Sequence, residues 1–408
     1  MAPRSVFILA DDLSGAADCA IGAAKAGLDS VVLLDADAPD QGAAVLAVDS
    51  DSRYRPVAEA KTLSAGLWRR HAAPGHLLYK KIDSTLRGNF AAEMAALTDA
   101  GVAIVAPAFP ATGRTTEGGR VFVKGVALEQ TEVWASEHMQ GQADIVAMLQ
   151  AAGVPALSLP LSVVRGGGLR AGFERQIAGG AVQAIVCDAV RDADLAAIAA
   201  ASVGLPVYWV GSAGLAAHLF VAAGLPGRAG GLPTLNVGGP IVTVVGSLSS
   251  LSHRQAQVLE AQVELARFLP SPDLLRAGPA HPGWRALETG LHDALRAGRD
   301  VMLRIAPEEH SDLAQGHALC AALNQLLAPM AGRIGALVAT GGETARGLLA
   351  AFGSHALQLV REIEPGIPLS VSVGARAMPI VTKAGAFGSP AALLHCYQQL
   401  AAIRRGPA

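Results

Sequence analysis

Two stretches of the chain concentrate groups able to bind and activate a polyhydroxy anion. In Ala10-Asp11-Asp12-Leu13-Ser14-Gly15, two adjacent carboxylates stand between an apolar run and a helical one. Beyond the carboxyl end of a parallel strand, Asp11 and Asp12 would bind hydroxyls, act as a base or hold a metal ion. The plainer alternative is that one caps the helix and the other is solvated. In Lys80-Lys81-Ile82-Asp83-Ser84-Thr85-Leu86-Arg87-Gly88-Asn89, two amines, a guanidinium, a carboxylate, two hydroxyls and an amide crowd together. Guanidinium grips carboxylate in a bidentate fork, so this loop suits a carboxylate-bearing polyol. The chain has only six lysines, and an adjacent pair here favours function over an ordinary charged loop. Two further stretches are ambiguous. Pro107 to Arg114 offers Thr112 and Arg114 to a ligand or forms a turn, and Asp49-Ser50-Asp51-Ser52-Arg53 offers Arg53 as a carboxylate clamp.

The second half carries a different device. Gly246-Ser247-Leu248-Ser249, Thr340-Gly341-Gly342-Glu343-Thr344 and Lys383-Ala384-Gly385-Ala386-Phe387-Gly388 each follow a β-type run, and helical stretches come after them. Ser389 and Pro390 are expected as the N-cap and first residue of the last of these helices. Strand, small-residue turn and helix start together present backbone N–H groups, which favour phosphate. None of the three has the Walker A spacing or the dinucleotide fingerprint. The residues alone therefore define a phosphate-binding region and no more.

These loops need strands to position them. Val6–Ala10, Val31–Asp35, Ala44–Asp49, His76–Lys81, Ala103–Pro107, Ala184–Asp188 and Pro206–Gly211 read as strands, alternating with helical stretches such as Ala16–Ala26 and Ala92–Ala100. Near-continuous apolar strands alternating with helices indicate a largely parallel, doubly wound sheet. The Gly/Pro-rich segment Gly227 to Pro240 breaks the series, and Ile241–Val245, Val301–Ile305, Ala336–Ala339 and Pro379–Lys383 open a second one. The expected fold class is α/β with two domains, each a mainly parallel sheet flanked by helices. The two domains would be residues 1–234 and 235–408.

Composition narrows the partners. A chain of 408 residues, 51% hydrophobic and 16% charged with net charge -2, is globular and carries no basic stripe, so nucleic acid is not an expected partner. Cys19, Cys187, Cys320 and Cys396 are widely spaced, as buried thiols in a reducing cytoplasm would be. Leu195 to Gly227 lacks any Asp, Glu, Lys or Arg, but Gly204, Pro206, Gly211 and Gly214 divide it into helix, strand and helix rather than a membrane span. The eleven histidines show no zinc spacing, no metal ligands are assigned, and only His253 lies near a candidate motif.

In order along the chain, ADDLSGAAD (10–18), KIDSTLRGN (81–89), APAFPATGR (106–114), Gly246-Ser247, TGGETA (340–345), EIEPGIPLS (362–370) and TKAGAFG (382–388) resemble the four-carbon acid sugar kinase family. The resemblance implies an N-terminal domain for the acid sugar and a C-terminal domain for ATP, with Mg²⁺ neutralising the phosphates. It also implies transfer to the terminal hydroxyl of D-threonate, D-erythronate or 3-oxo-tetronate; closure across the Gly227–Pro240 linker is expected to exclude water. By motif, Asp11, Asp12, Lys81, Asp83, Ser84 and Arg87 fall on the substrate side. Ser247, Gly341, Gly342, Glu343, Thr344 and Gly385 fall on the nucleotide side. Asp12 is the expected proton acceptor. Ala386 stands where a second glycine is expected, and Ser389-Pro390 where many members carry an acid. The rival readings are a kinase of another sugar acid, a non-catalytic nucleotide and sugar-acid-binding regulator, and an NAD-dependent oxidoreductase, which lacks its fingerprint. The buried sheets leave room for a homodimer.

Overall fold

The computed structural model describes residues 5–38, 42–72, 75–137, 139–225, 227, 233–247, 249–307, 316–385 and 387–406. Parts of two expected motifs, Leu248 and Ala386, and residues 228–232 of the expected linker lie outside the described residues. The chain divides into two compact units, Met1–Ser30 with Pro39–Ala229 and Val31–Ala38 with Gly230–Ala408. Sequence reading assigns the whole stretch up to 234 to one domain; in the structure Val31–Ala38 is part of the second unit.

In the first unit, the described strands lie in the order Val45–Asp49, Ser5–Ala10, His76–Lys81, Val207–Gly211, Val102–Ala106, Ala184–Cys187 and Ala156–Leu159. Every neighbouring pair is parallel. Their near-continuous apolar sequences follow from burial on both faces: Val6, Ile8, Leu9 and Ala10 are all 0% exposed. The first strand has Val45–Asp49 on one side and His76–Lys81 on the other, so the chain's winding reverses around it. Such a switch point opens a crevice at the carboxyl ends of the strands. A separate antiparallel ribbon, Arg114–Glu117, Arg120–Val123 and Val126–Ala127, is anchored where the Gly118 and Gly119 N–H groups donate to Asp188 (2.7 and 2.9 Å). The expected helix over Ala92–Ala100 is shorter: Phe90–Met94 is helical, and a single 3₁₀ turn follows at Thr98–Ala100. The uncharged stretch beyond Leu195 folds as helix Asp192–Ser202, strand Val207–Gly211 and helix Ala213–Ala223, and no described helix is long and apolar enough to cross a membrane.

The second unit repeats the scheme. Ala266–Phe268, Val301–Arg304, Ile241–Val245, Ala336–Thr340 and Pro379–Lys383 run parallel in that order. Its first strand along the 241–408 series, Ile241–Val245, is again the switch point, between Val301–Arg304 and Ala336–Thr340. Ile367–Gly374 and Ser354–Glu364 extend the sheet antiparallel, and Ser30–Leu33 pairs with Ser354–Glu364 (Leu33 opposite Ala356). The hairpin turns at Pro365-Gly366, with Glu364 opposite Ile367. Gly366 has φ +77°, and a side chain there would run into the Phe387 ring. The core packs Ile241, Val245, Leu259, Val338, Leu369 and Val381 against Leu393, Cys396 and Leu400 of the final helix, Ala392–Arg405.

Candidate active site

At the first switch point the strand Ser5–Ala10 delivers Asp11 and Asp12 to the start of helix Leu13–Lys25. Asp12 is the N-cap: the Gly15 N–H donates to its Oδ1 (2.9 Å). Both carboxylates also share one guanidinium. Arg53 Nε and Nη2 donate to Asp11 (2.7 and 3.0 Å), and Nη1 and Nη2 donate to Asp12 (2.8 Å each). Burial by itself would lift the Asp11 carboxyl; Arg53, with Lys80 and Lys81, holds it below its ordinary value. Arg53 thus spends its fork on the protein's own carboxylates, an arrangement different from a clamp on a ligand. Asp11 is 3% exposed and Asp12 23%, so Asp12 is the member of the pair that a ligand can reach.

The adjacent lysines part company because successive strand residues point to opposite faces. Lys80 Nζ pairs with Glu93 (2.8 Å), both side chains essentially unexposed, and the Ser52 hydroxyl donates to the other Glu93 oxygen. Lys81 points to the crevice instead. A Cβ on Gly15 would stand 2.7 Å from Lys81 Nζ and 2.6 Å from Asp12 Oδ1, so only glycine admits the ammonium beside the helix start. Burial opposes the Lys81 charge, but Cys19 together with Asp11, Asp12 and Asp83 outweighs it and raises its pKa.

Asp83 folds its own loop. It accepts from the Thr85 N–H (2.7 Å), from the Thr85 hydroxyl and from Arg87 Nη2 (2.6 Å). Burial is outweighed by Arg87 and Arg53, and the carboxyl sits well below its ordinary value. Asp83 in turn keeps Arg87 charged, while Arg87 Nε is buried without a hydrogen-bond partner among the described residues. Ser84 is half-buried at the same turn. Asn89 Nδ2 donates to the Ser52 and Arg55 carbonyls (3.1 and 2.9 Å), tying this loop to the one that carries Arg53. Sequence reasoning left Arg114 ambiguous. Among the described residues its Nε is buried without a partner and Nη1 donates only a long bond to the Thr112 carbonyl (3.3 Å); burial lowers its pKa while Asp83 and Arg87 also act on it.

In the second unit the three small-residue turns meet. The Ser249 and Ser252 hydroxyls both donate to the Gly385 carbonyl (2.9 Å each), and a side chain on Gly385 would run into Ser247 Oγ. A side chain on Gly246 would likewise run into Thr344, which is buried with its hydroxyl 3.2 Å from Cys320 Sγ. Thr344 therefore offers a ligand its backbone, not its side chain. Gly341 (φ +94°) donates its N–H to the Lys383 carbonyl (2.8 Å) and starts helix Gly342–Ala351, whose first N–H groups are unclaimed by the helix. Glu343 is exposed in that first turn.

Lys383, which sequence reading passed over, organises the last turn. Its Nζ donates to the carbonyls of Ala384, Gly385 and Phe387 (2.9, 3.1 and 3.1 Å), and burial pushes its pKa down to about 8. In a planar trans peptide C=O and N–H point oppositely, so the Gly385 and Gly388 N–H groups bonded to the Ala384 and Phe387 carbonyl carbons, respectively, face away from the amine where those residues are described. Ser389 does not cap a helix. Its N–H and hydroxyl donate to Glu364 (2.7 and 2.9 Å), and the helix begins only at Ala392.

A carboxylate–guanidinium cluster at one switch point and glycine turns at the other are groups of the kind that an α/β phosphotransferase needs. Residues 6–219 match a sugar-binding N-terminal domain and residues 242–393 a nucleotide-binding C-terminal domain. The chain is 48% identical to a D-threonate kinase of Cupriavidus necator over 98% of its own length and 99% of that protein's. It is 34% identical to a D-threonate kinase of Salmonella typhimurium (95% and 96% covered) and 30% identical to a 3-oxo-tetronate kinase of Methylobacterium radiotolerans (93% and 95% covered). The fold is shared with a crystal structure of a Salmonella typhimurium LT2 protein, at TM-score 0.81 and 20% identity, covering 97% and 99% of the two chains. The chain belongs to the four-carbon acid sugar kinase family, phosphotransferases with an alcohol group as acceptor.

Proposed function

We propose that this enzyme transfers the γ-phosphoryl group of ATP to the terminal hydroxyl of D-threonate. The observation that carries the acid-sugar half is the first crevice: a reachable carboxylate, Asp12, beside a buried ammonium, Lys81, that donates no hydrogen bond among the described residues. The choice of D-threonate follows the names of the more similar relatives.

Lys81 and Arg114, the cations whose donors are least used, take the substrate carboxylate. Arg87 contributes its free Nε, and Asp83 and Ser84 orient the hydroxyls, while Asp11, buried against Arg53, positions that guanidinium. Arg53 keeps Asp11 ionised and holds the Asp12 side chain in place, so that Asp12 accepts the proton of the attacking hydroxyl. Phosphoryl transfer depends on such positioning and charge neutralisation more than on covalent chemistry.

On the nucleotide side, Ser247, the N–H groups at Gly342, Glu343 and Thr344, and the Gly385 N–H face the phosphates. Mg²⁺, when bound, offsets phosphate charge. Among the described residues no group of three His, Cys, Asp or Glu side chains is arranged for a metal, while an exposed carboxylate in the first turn, Glu343, suits a cation that keeps its waters and phosphate ligands. Four free, buried cysteines suit work in the cytoplasm.

The test is ADP release with Mg-ATP against D-threonate, D-erythronate, their L forms and 3-oxo-tetronates. Turnover highest with D-threonate is expected. Turnover with a different acid would reassign the substrate, and silence across the panel would remove the reading.

A further inference from the structure

One pair of buried nitrogen-bearing side chains in the second unit has no role so far. Arg304 is the last residue of strand Val301–Arg304 and lies opposite Val245, the last residue of the switch-point strand. His253 lies in the first turn of the thirteen-residue helix Ser250–Gln262, which follows that same strand. Each is only 9% exposed. Both ring nitrogens of His253, and Nε of Arg304, are buried without a hydrogen-bond partner among the described residues.

The geometry links the two. His253 and Glu260 are seven residues apart, two helical turns on one face. Arg304 Nη2 reaches Glu260 at 3.3 Å and also acts electrostatically on His253, so its guanidinium lies along that face. Burial, reinforced by the Arg304 charge, holds the His253 pKa below its ordinary value. A neutral imidazole still donates one hydrogen bond. Buried polar atoms left unpaired are costly, and an anion would satisfy the two that donate, Arg304 Nε–H and the single imidazole N–H. The position is the crevice beside Gly246-Ser247, on the side away from the Gly341 turn.

We propose that His253 and Arg304 form a phosphate-recognising pair that binds a phosphate group of the nucleotide. This rests on the reading of the second unit as the ATP site and adds two side-chain donors to its backbone ones. The same chemistry would accept free inorganic phosphate, so the test must separate the sources.

Calorimetric titration of full-length wild type, Arg304→Met, Arg304→Lys and His253→Asn with ADP, adenosine, pyrophosphate and inorganic phosphate does so. Expected are ADP affinities weaker by about tenfold or more in Arg304→Met and about threefold to tenfold in His253→Asn, with Arg304→Lys between them and adenosine unchanged. ADP affinity unchanged in all three variants, or ADP and adenosine weakened equally, overturns the proposal. Wild type that binds pyrophosphate or phosphate through Arg304 but neither ADP nor adenosine keeps the pair as an anion site and overturns the nucleotide reading instead. Should Arg304→Met fail to fold, Arg304→Lys and His253→Asn carry the test.

Discussion

Lys81 and Lys383 occupy equivalent places, each the last residue of a buried parallel strand in its own unit. Carboxylates surround Lys81 and, with Cys19, raise its pKa; Lys383 is spent on three loop carbonyls, and burial lowers its pKa to about 8. The two switch points are therefore built in opposite ways. The first matches fixed charges of both signs, which suits a small hydroxy acid that must be oriented atom by atom. The second uses its lysine internally and turns backbone dipoles outward, which suits a polyanion bound through many weak donors.

The sharpest way to break this comparison is Asp12→Asn. Asparagine preserves the helix cap, so a role as proton acceptor predicts a kcat loss of roughly 10²–10⁴-fold with nucleotide affinity unchanged. Retention of most turnover would remove Asp12 from that role. Next comes Lys80→Met, which strands buried Glu93 and should cost about 3–5 kcal/mol in urea unfolding. Lys80→Met combined with Glu93→Leu should recover much of that loss, because an apolar replacement of a buried pair is often near neutral. In the second crevice Gly385→Ala should weaken ADP binding roughly tenfold, about 1.4 kcal/mol, by pushing on Ser247, and leave the KM for the acid unchanged.

The smallest effect concerns acid. Asp11 and Asp83 have folded pKa values below their unfolded ones, so their contribution is present above the unfolded carboxylate pKa of about 3.9 and is lost as pH falls through the folded values. Arg87→Gln removes the main cause of the Asp83 shift. Melting temperatures at pH 6 and pH 3 should then differ less in the variant than in wild type, and an equal difference would exclude this linkage.

The strands that carry both crevices were legible because continuous apolar runs bounded by polar loops leave few alternatives. His76–Lys81, Ile241–Val245 and Pro379–Lys383 are read with the bounds that the structure shows. Ser354–Glu364 and Ile367–Gly374 were not read as strands, since Arg361, Glu362 and Glu364 interrupt the apolar pattern; the Pro365-Gly366 turn between them was the available signal. Within the sites, residue types were legible and their partners were not. Nothing local shows that Arg53 serves Asp11 and Asp12, which lie some forty residues earlier, or that Lys383 folds its loop. The division between Lys80 and Lys81 was within reach, because strand alternation requires it.

The excursion of Val31–Ala38 into the second unit has a consequence for biosynthesis. This stretch leaves the ribosome early, yet its partner strand, Ser354–Glu364, is translated more than three hundred residues later. The edge that meets Ser354–Glu364 must wait for its partner through nearly all of synthesis, and an open strand edge can mispair with other chains. Expressing residues 230–408 alone would expose the complementary edge. The two halves can thus be told apart by their chemistry but not separated by a single cut in the gene.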